Sequence, residues 1–573
     1  MAPSLPALTL RCALENTVTQ YPDAPALSWV GGEPLTFREL KESAQAVSIL
    51  LAEQGIGSGD TVAILAENCP HWGVAYFAIT CMGAVAVPIL TEFHSESILY
   101  IIRHSEAKAV FVTEKMFCKI EDAEFPATTT FINLETFQVM EQGITRDRLK
   151  EIKSLGLREY RKFKERALRL PPVQPQGPNE DDIAVIIYTS GTMGYSKGVM
   201  LTHKNIVFDA MSVEEFFCLG PDDRMLSLLP LPHTYECTIG FVLPMLKGAH
   251  VQYLDRPPTA RALLPALQTA RPTAVLCVPL IIEKIFRNSI LPKFTADRVR
   301  HTLYKVPFIR KALHRMAGKK LCETFGGKLR IIAIGGAPLA PVVEQFLREG
   351  NVPYVVGYGL TECAPLCSGS RIDNTRFLSA GYAMKGVSIR IDNPDGNGEG
   401  EILIKGPNVM REYYKSPQDT SEVLAGDGWL RTGDLGYLDE AGFVYIKGRR
   451  KNLILGPSGE NIYPEEVEAI INQLEYVAES LVIQHEGKLV GRVYLETEKF
   501  DADFADLSDR DRREKEAELL EKIRKEANSR VSSFIRLHRM VLQPEPFEKT
   551  PTQKIKRYLY MGIDGCQTPV SCK

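Results

Sequence analysis

The stretch "YTSGTMGYSKGVMLTH", Tyr188–His203, follows the apolar run "IAVII" at residues 183–187. Its first eleven residues hold four Ser or Thr hydroxyls, three glycines and one lysine. Glycines let backbone N–H groups approach an anion closely, and hydroxyl and ammonium groups add donors. That is the composition of a polyphosphate cradle. The plain alternative is a Gly/Ser turn joining a strand to a helix. A Walker loop is excluded, because that motif needs Gly before the Lys and a hydroxyl after it. Here Ser196 precedes Lys197 and Gly198 follows it.

Up to about residue 447, short apolar runs alternate with longer amphipathic stretches. "DTVAILA", "AVFVT", "AVIIYT", "AVLCVP", "LRIIAIGG" and "PYVVGYG" are the runs. Buried strands alternating with helices predict an α/β fold with largely parallel sheets. Several runs end in Gly, Ser or Thr, at the strand ends where open α/β sheets bind ligands. The uncharged segment Gly73–Leu90 reads as a buried helix running into a buried strand. It is at the short end for a membrane span and carries Pro88. From "GRRKNLILGPSGENIYPEEVEAI" onward the pattern becomes that of a compact α+β unit with a charged helix near its end. The expected division is a large domain over 1–450 and a small one over 451–573. Two basic stretches, 147–169 and 297–320, read first as solvated helix faces, and alternatively as contacts for anionic lipid or a phosphorylated substrate. The tail "MGIDGCQTPVSCK" is expected to be unstructured.

A chain of 573 residues is too long for one core. Its net charge of −3 gives no reason to expect nucleic acid. The first twenty residues lack a basic segment leading into an apolar one, so no secretory signal is expected. The twelve cysteines include no C-x-x-C pair, and Cys363 and Cys367 lack partners for a zinc site. A reducing, cytoplasmic setting is the expectation.

Other segments supply complementary chemistry. "GGAPL", Gly335–Leu339, sits at the end of an apolar run and suits a purine wall through Gly335, Gly336 and Ala337. "GYGLTE" offers Gly357, the aromatic Tyr358, Gly359, the hydroxyl of Thr361 and the carboxylate of Glu362. A base, a phosphate and Mg²⁺ are suitable partners for these. "GWLRTGD" is expected to place Asp434 after a tight turn, where a carboxylate accepts both ribose hydroxyls, with Arg449 in "KGRRKN". "KTPTQKIKR" puts Lys554 on a polar segment near the end. A lone Asp or Lys is ordinary surface; five pieces in this order are not.

With these residues, the chain resembles the adenylate-forming superfamily of acyl-CoA synthetases, adenylation domains and beetle luciferases. The resemblance runs from "TFREL" to Lys554, nearly the whole chain. It implies that Thr189, Ser190, Gly191, Thr192, Gly194 and Lys197 engage the ATP phosphates. It implies adenine contacts at Gly335, Gly336, Ala337, Gly357, Tyr358 and Gly359, an α-phosphate contact at Thr361, and Mg²⁺ on Glu362 and Thr192. Asp434 and Arg449 become ribose ligands, Lys451 a hinge, Lys554 the lysine of the adenylation step, and His233 the histidine beside the acyl carboxylate. "HTYE", "GYGLTECAPL" and "TPTQKIKR" are similar to the long-chain fatty acid:CoA ligase branch, which uses ATP, Mg²⁺ and CoA. Peripheral membrane contact is compatible with amphiphilic substrates.

Two positions depart from the usual pattern. Met193 stands in place of a Thr, and Ser196 in place of a Pro. Losing one neutral hydrogen bond costs about 1 kcal/mol, and one to a charged group roughly twice that. ATP binding is therefore expected to weaken without being abolished. The alternatives are a ligase for another acid or for a carrier-protein thiol, and a degenerate nucleotide-binding regulator.

Overall fold

Every one of the apolar runs named above forms a strand. The structure is a computed structural model. It describes residues 5–562, apart from 127, 141–163, 171–172, 174–176, 190–195, 258, 425, 457–460, 506, 533–534 and 551–553. The C-terminal tail from 563 and most of the basic stretch 147–169 thus lie outside the described residues. The chain divides into two compact units. The first comprises Met1–Arg390, Leu403–Thr432 and Leu438–Tyr445; the second, Ile391–Ile402, Gly433–Tyr437 and Ile446–Lys573.

Two large sheets build the first unit. The eight-stranded sheet has the parallel strands Ile183–Thr189, Val85–Ile89, Thr61–Leu65, Ala109–Val112 and Thr130–Asn133 in that spatial order. In the seven-stranded sheet, Tyr354–Val356, Ile331–Ile334, Ala274–Cys277, Arg224–Ser227, His250–Tyr253 and Pro25–Trp29 run parallel, in that order. Strands such as Thr61–Leu65 and Ile331–Ile334 are buried along their whole length, as parallel strands covered on both faces must be.

The apolar segment Gly73–Leu90 resolves as expected into a helix, Pro70–Cys81, and a strand, Val85–Ile89. That helix is apolar all round because it packs against strands of both sheets. Trp72 and Tyr76 are fully buried on it. Gly73 provides the close approach: a Cβ there would come within 2.8 Å of Leu27 and 2.9 Å of Phe241. Among the described residues, no helix is long and apolar enough to cross a membrane.

The second unit contains a hairpin of Val477–His485 and Lys488–Leu495, extended by Leu537–Leu542 in parallel. The helices Pro464–Ile471 and Asp509–Arg530 cover it, burying Val467, Ile471, Val482, Val493, Ile523 and Leu537. Glu468 is buried too, and its carboxylate takes a double contact from Arg557 at 2.7 and 3.0 Å and the Val482 N–H at 2.6 Å. This pair anchors the segment that carries Lys554.

Candidate active site

The hydroxyl-rich stretch is flanked by two paired strands rather than by a strand and a helix. Strand Ile183–Thr189 pairs antiparallel with Lys197–Thr202, and Thr189 faces Lys197 across the ladder. Ser190, Gly191, Thr192, Met193 and Gly194 lie outside the described residues. At the rung, the Thr189 hydroxyl lies 3.5 Å from the Lys197 carbonyl oxygen. Gly198 is required next to it, because a Cβ there would meet Ile186 at 2.9 Å and Tyr414 at 3.2 Å.

A third strand, Glu412–Tyr413, pairs with Lys197–Thr202 and sets Tyr413 opposite Val199. The Lys197 ammonium lies 5.2 Å from the centre of the Tyr413 ring and forms an ion pair with Asp419. Tyr413 in turn donates its hydroxyl hydrogen to Glu362 Oε1 at 2.7 Å. Burial, reinforced by the adjacent Glu362 charge, pushes the Tyr413 phenol well above its ordinary range. It therefore stays a donor. Sequence reading found Lys197 and Glu362 but missed Tyr413 and Asp419. No local spacing points to them, since Asp419 lies 222 positions from Lys197.

The loops after parallel strands of the seven-stranded sheet carry the remaining candidates of this unit. After Ile331–Ile334 come Gly335, whose N–H donates to the Cys277 carbonyl at 3.3 Å, and the exposed Gly336 and Ala337. After Tyr354–Val356 comes Gly357, donating to the Ile334 carbonyl at 3.0 Å. Tyr358 is largely buried, with 7% exposure, and Gly359 is exposed. Gly359 admits no side chain, because a Cβ would sit 1.9 Å from the Pro365 carbonyl oxygen. Thr361 Oγ1 is 3.4 Å from Thr234 Oγ1, which ties this loop to the one after Arg224–Ser227. On that loop, His233 Nδ1 accepts the Tyr235 N–H at 3.2 Å, leaving Nε2 to carry the ring proton.

A buried network that the sequence did not reveal holds the His233 loop. The Ser227 hydroxyl donates to Glu236 Oε1 at 2.5 Å. Asn68 donates to Ser227 at 2.9 Å and to the Leu229 carbonyl at 2.6 Å, and accepts the Leu231 N–H at 2.8 Å. Burial pushes the Glu236 carboxyl up to about 8.

In the second unit, Asp434 Oδ1 pairs with Arg449 Nε at 2.7 Å. Asp434 does not follow a tight turn, contrary to the sequence expectation. It lies inside the strand Leu430–Leu438, whose neighbour Val444–Arg449 ends in its partner. Lys451 lies in the short turn Arg450–Asn452. Lys554 is exposed; its carbonyl accepts the Thr550 N–H at 2.7 Å, and its N–H donates to Thr550 Oγ1 at 3.2 Å.

The residues present fit Mg²⁺. It is commonly held by one or two carboxylates together with substrate phosphates and water. Glu362 uses one oxygen on Tyr413, and its other oxygen has no partner among the described residues. Among those residues there is no cluster of three or more His, Cys, Asp or Glu suited to a self-contained metal site.

Residues 14–414 match the family described as AMP-binding enzyme. The chain is 29% identical over 590 residues to long-chain-fatty-acid–CoA ligase 1 of Cavia porcellus, covering 94% of this chain and 81% of that one. It is 27% identical over 566 residues to a long-chain-fatty-acid–CoA ligase of Mycobacterium tuberculosis, covering 91% and 90%. Among solved structures it is similar to ATP-bound MatB from Rhodopseudomonas palustris, with TM-score 0.74, 22% identity, and 96% and 98% of the two chains covered. It is also similar to an o-succinylbenzoate CoA synthetase from Bacillus subtilis holding its acyl-adenylate, with TM-score 0.71, 21% identity, and 95% and 97% covered. At these identities the solved structures speak for the fold.

Proposed function

We propose that this chain, which belongs to the AMP-binding enzyme family, is an AMP-forming ligase that joins a long-chain fatty acid to CoA. The observation that carries the reading is the 3.4 Å approach of Thr361 and Thr234. It joins the loop bearing Tyr358 and Glu362, read as nucleotide contacts, to the loop bearing His233, read as the acid contact, which supports one site for both. The long-chain names of the relatives supply the substrate class.

In the first half-reaction, the carboxylate of the acid attacks the α-phosphorus of ATP, and pyrophosphate leaves. Such transfers are catalysed by positioning and charge stabilisation. Lys197 and the hydroxyls of the stretch before it hold the phosphates. Thr361 contacts the α-phosphate, and the Asp434–Arg449 pair holds the ribose. Glu362, which takes the Tyr413 hydroxyl on one oxygen, would hold Mg²⁺, which neutralises phosphate charge when bound. Lys554 stabilises the charge that develops at the α-phosphate. In the second half-reaction, the CoA thiol attacks the acyl carbon of the mixed anhydride and AMP departs. The small domain, 451–573, turns about Lys451 between the two halves, withdrawing Lys554.

The test is pyrophosphate release with ATP and Mg²⁺ over carboxylic acids from acetate to about eighteen carbons, with and without CoA. Turnover with long acids that requires CoA is expected. Lys554→Ala should cripple acyl-AMP formation by a factor of ~10²–10³ and spare thioester formation from supplied acyl-AMP. Equal loss in both halves would contradict its role. A second reading is a ligase for another acid, as the o-succinylbenzoate CoA synthetase of the same fold is; the same panel separates the two.

A further inference from the structure

The basic stretch 297–320 is more than a solvated face. It forms two helices, Arg298–Tyr304 and Pro307–Thr324, the first capped by Asp297 on the Arg300 N–H at 2.8 Å. The inner side of the second helix is locked to the helix Pro341–Glu349. His314 is buried there, with Nε2 2.8 Å from the Tyr304 hydroxyl and its ring edge-on to Phe346 at 5.3 Å. Gly318 lies flush on the Gly350 carbonyl, which a Cβ would approach to 2.2 Å.

That anchoring fixes what faces outward. Phe308, Lys311, Ala312, Arg315, Met316 and Lys319 are exposed and recur at three- and four-residue spacing, so they form one stripe. Phe308 is 74% exposed and Met316 64%. On the preceding helix Val299 and Leu303, four apart, are exposed at 69% and 44%. A single exposed apolar residue is ordinary, but four on consecutive helices are not. Residues 298–320 also contain eight Lys or Arg and no Asp or Glu.

A cleft of about 460 Å³ opens beside the stripe, lined by Lys311, Arg315, Gln345, Arg348 and Phe377, among others. Its one carboxylate, Glu349, is already held by Arg310 at 2.9 Å and His314 at 2.8 Å. Lys311 and Arg315 have no carboxylate partner among the described residues. Phe377 adds a further exposed ring at the rim.

We infer that this face docks on an anionic lipid bilayer. Phe308, Met316, Val299 and Leu303 enter the interface, and Lys311 and Arg315 receive a lipid phosphate in the cleft. The charge complementarity selects an anionic partner. The exposed apolar side chains, interspersed in sequence with long basic ones that keep their charge in the headgroup layer, select a bilayer over nucleic acid. The inference does not depend on which acid the chain activates.

The full chain is sedimented with vesicles of phosphatidylcholine alone and with vesicles containing about a third phosphatidylserine. Binding to the anionic vesicles is expected to exceed binding to the neutral ones at least tenfold and to fall with salt. Lys311→Glu/Arg315→Glu and, separately, Phe308→Ser/Met316→Ser should each reduce it about tenfold or more. Lys311→Gln/Arg315→Gln guards against a folding defect, and melting temperature and pyrophosphate release with a water-soluble acid should not change. Equal binding to both vesicle types, binding unaffected by charge reversal, or no binding to either would each overturn the inference.

Discussion

The phenol of Tyr413 donates to the Glu362 carboxylate at 2.7 Å while its ring lies beside the Lys197 ammonium. One aromatic side chain thus sets the spacing between a cation and an anion that come from distant parts of the chain. Neither charge is positioned by its own neighbours in sequence.

Tyr413→Phe keeps the ring and removes the donor. A hydrogen bond to a charged group contributes about 1.5–3 kcal/mol. Pyrophosphate release is expected to fall roughly ten- to hundredfold, with the Mg²⁺ concentration for half-maximal rate displaced. A Mg²⁺ titration of the variant checks this; an unchanged midpoint would count against Glu362 as the metal carboxylate.

Lys197→Met separates binding from stability. Its pair with Asp419 is partly exposed, and such pairs contribute about 0–1 kcal/mol to folding. The melting temperature should barely move, while ATP affinity measured by calorimetry drops about tenfold or more. A large loss of stability with intact ATP binding would make Lys197 a structural residue.

Glu236 gives a pH signature. Its folded carboxyl, pushed up to about 8 by burial, keeps a proton that the unfolded chain has released. Its contribution is full below the unfolded value near pH ~4 and is lost as pH rises through the folded one. Glu236→Gln removes that dependence. Between pH 5.5 and 8 the variant should gain roughly 3 kcal/mol on the wild type, read as a growing difference in melting temperature. Parallel stability curves would show that Glu236 does not titrate as described.

Arg557→Met leaves Glu468 buried without its cation, and breaking a buried pair from one side costs about 3–5 kcal/mol. The second unit should unfold at lower denaturant. Glu468→Gln/Arg557→Met should recover much of the loss, because it removes the stranded charge. A double variant as unstable as the single one would place the defect in packing.

The sequence alone determined the strands. Runs such as "AVIIYT" and "LRIIAIGG" are β-branched, apolar and short, and they have no solvated alternative in a chain this size. It also determined the helix Asp509–Arg530, whose charged residues leave only a narrow apolar face. Lys197 and Glu362 stand out in the sequence because polar side chains cluster there with glycines in short motifs. Partnership was not legible. Tyr413 reaches Glu362 because Glu412–Tyr413 adds to the hairpin that begins at Ile183, and a strand pairing between segments some 200 positions apart leaves no local pattern. Asp434 sits inside a strand rather than after a turn because the pairing of Leu430–Leu438 overrides the turn tendency of "TGD". The burial that raises Glu236 comes from the packing of its own helical segment, Tyr235–Val242, against the strands Arg224–Ser227 and Ala274–Cys277. Side-chain identity is written residue by residue, whereas dielectric environment and distance exist only once the chain has packed.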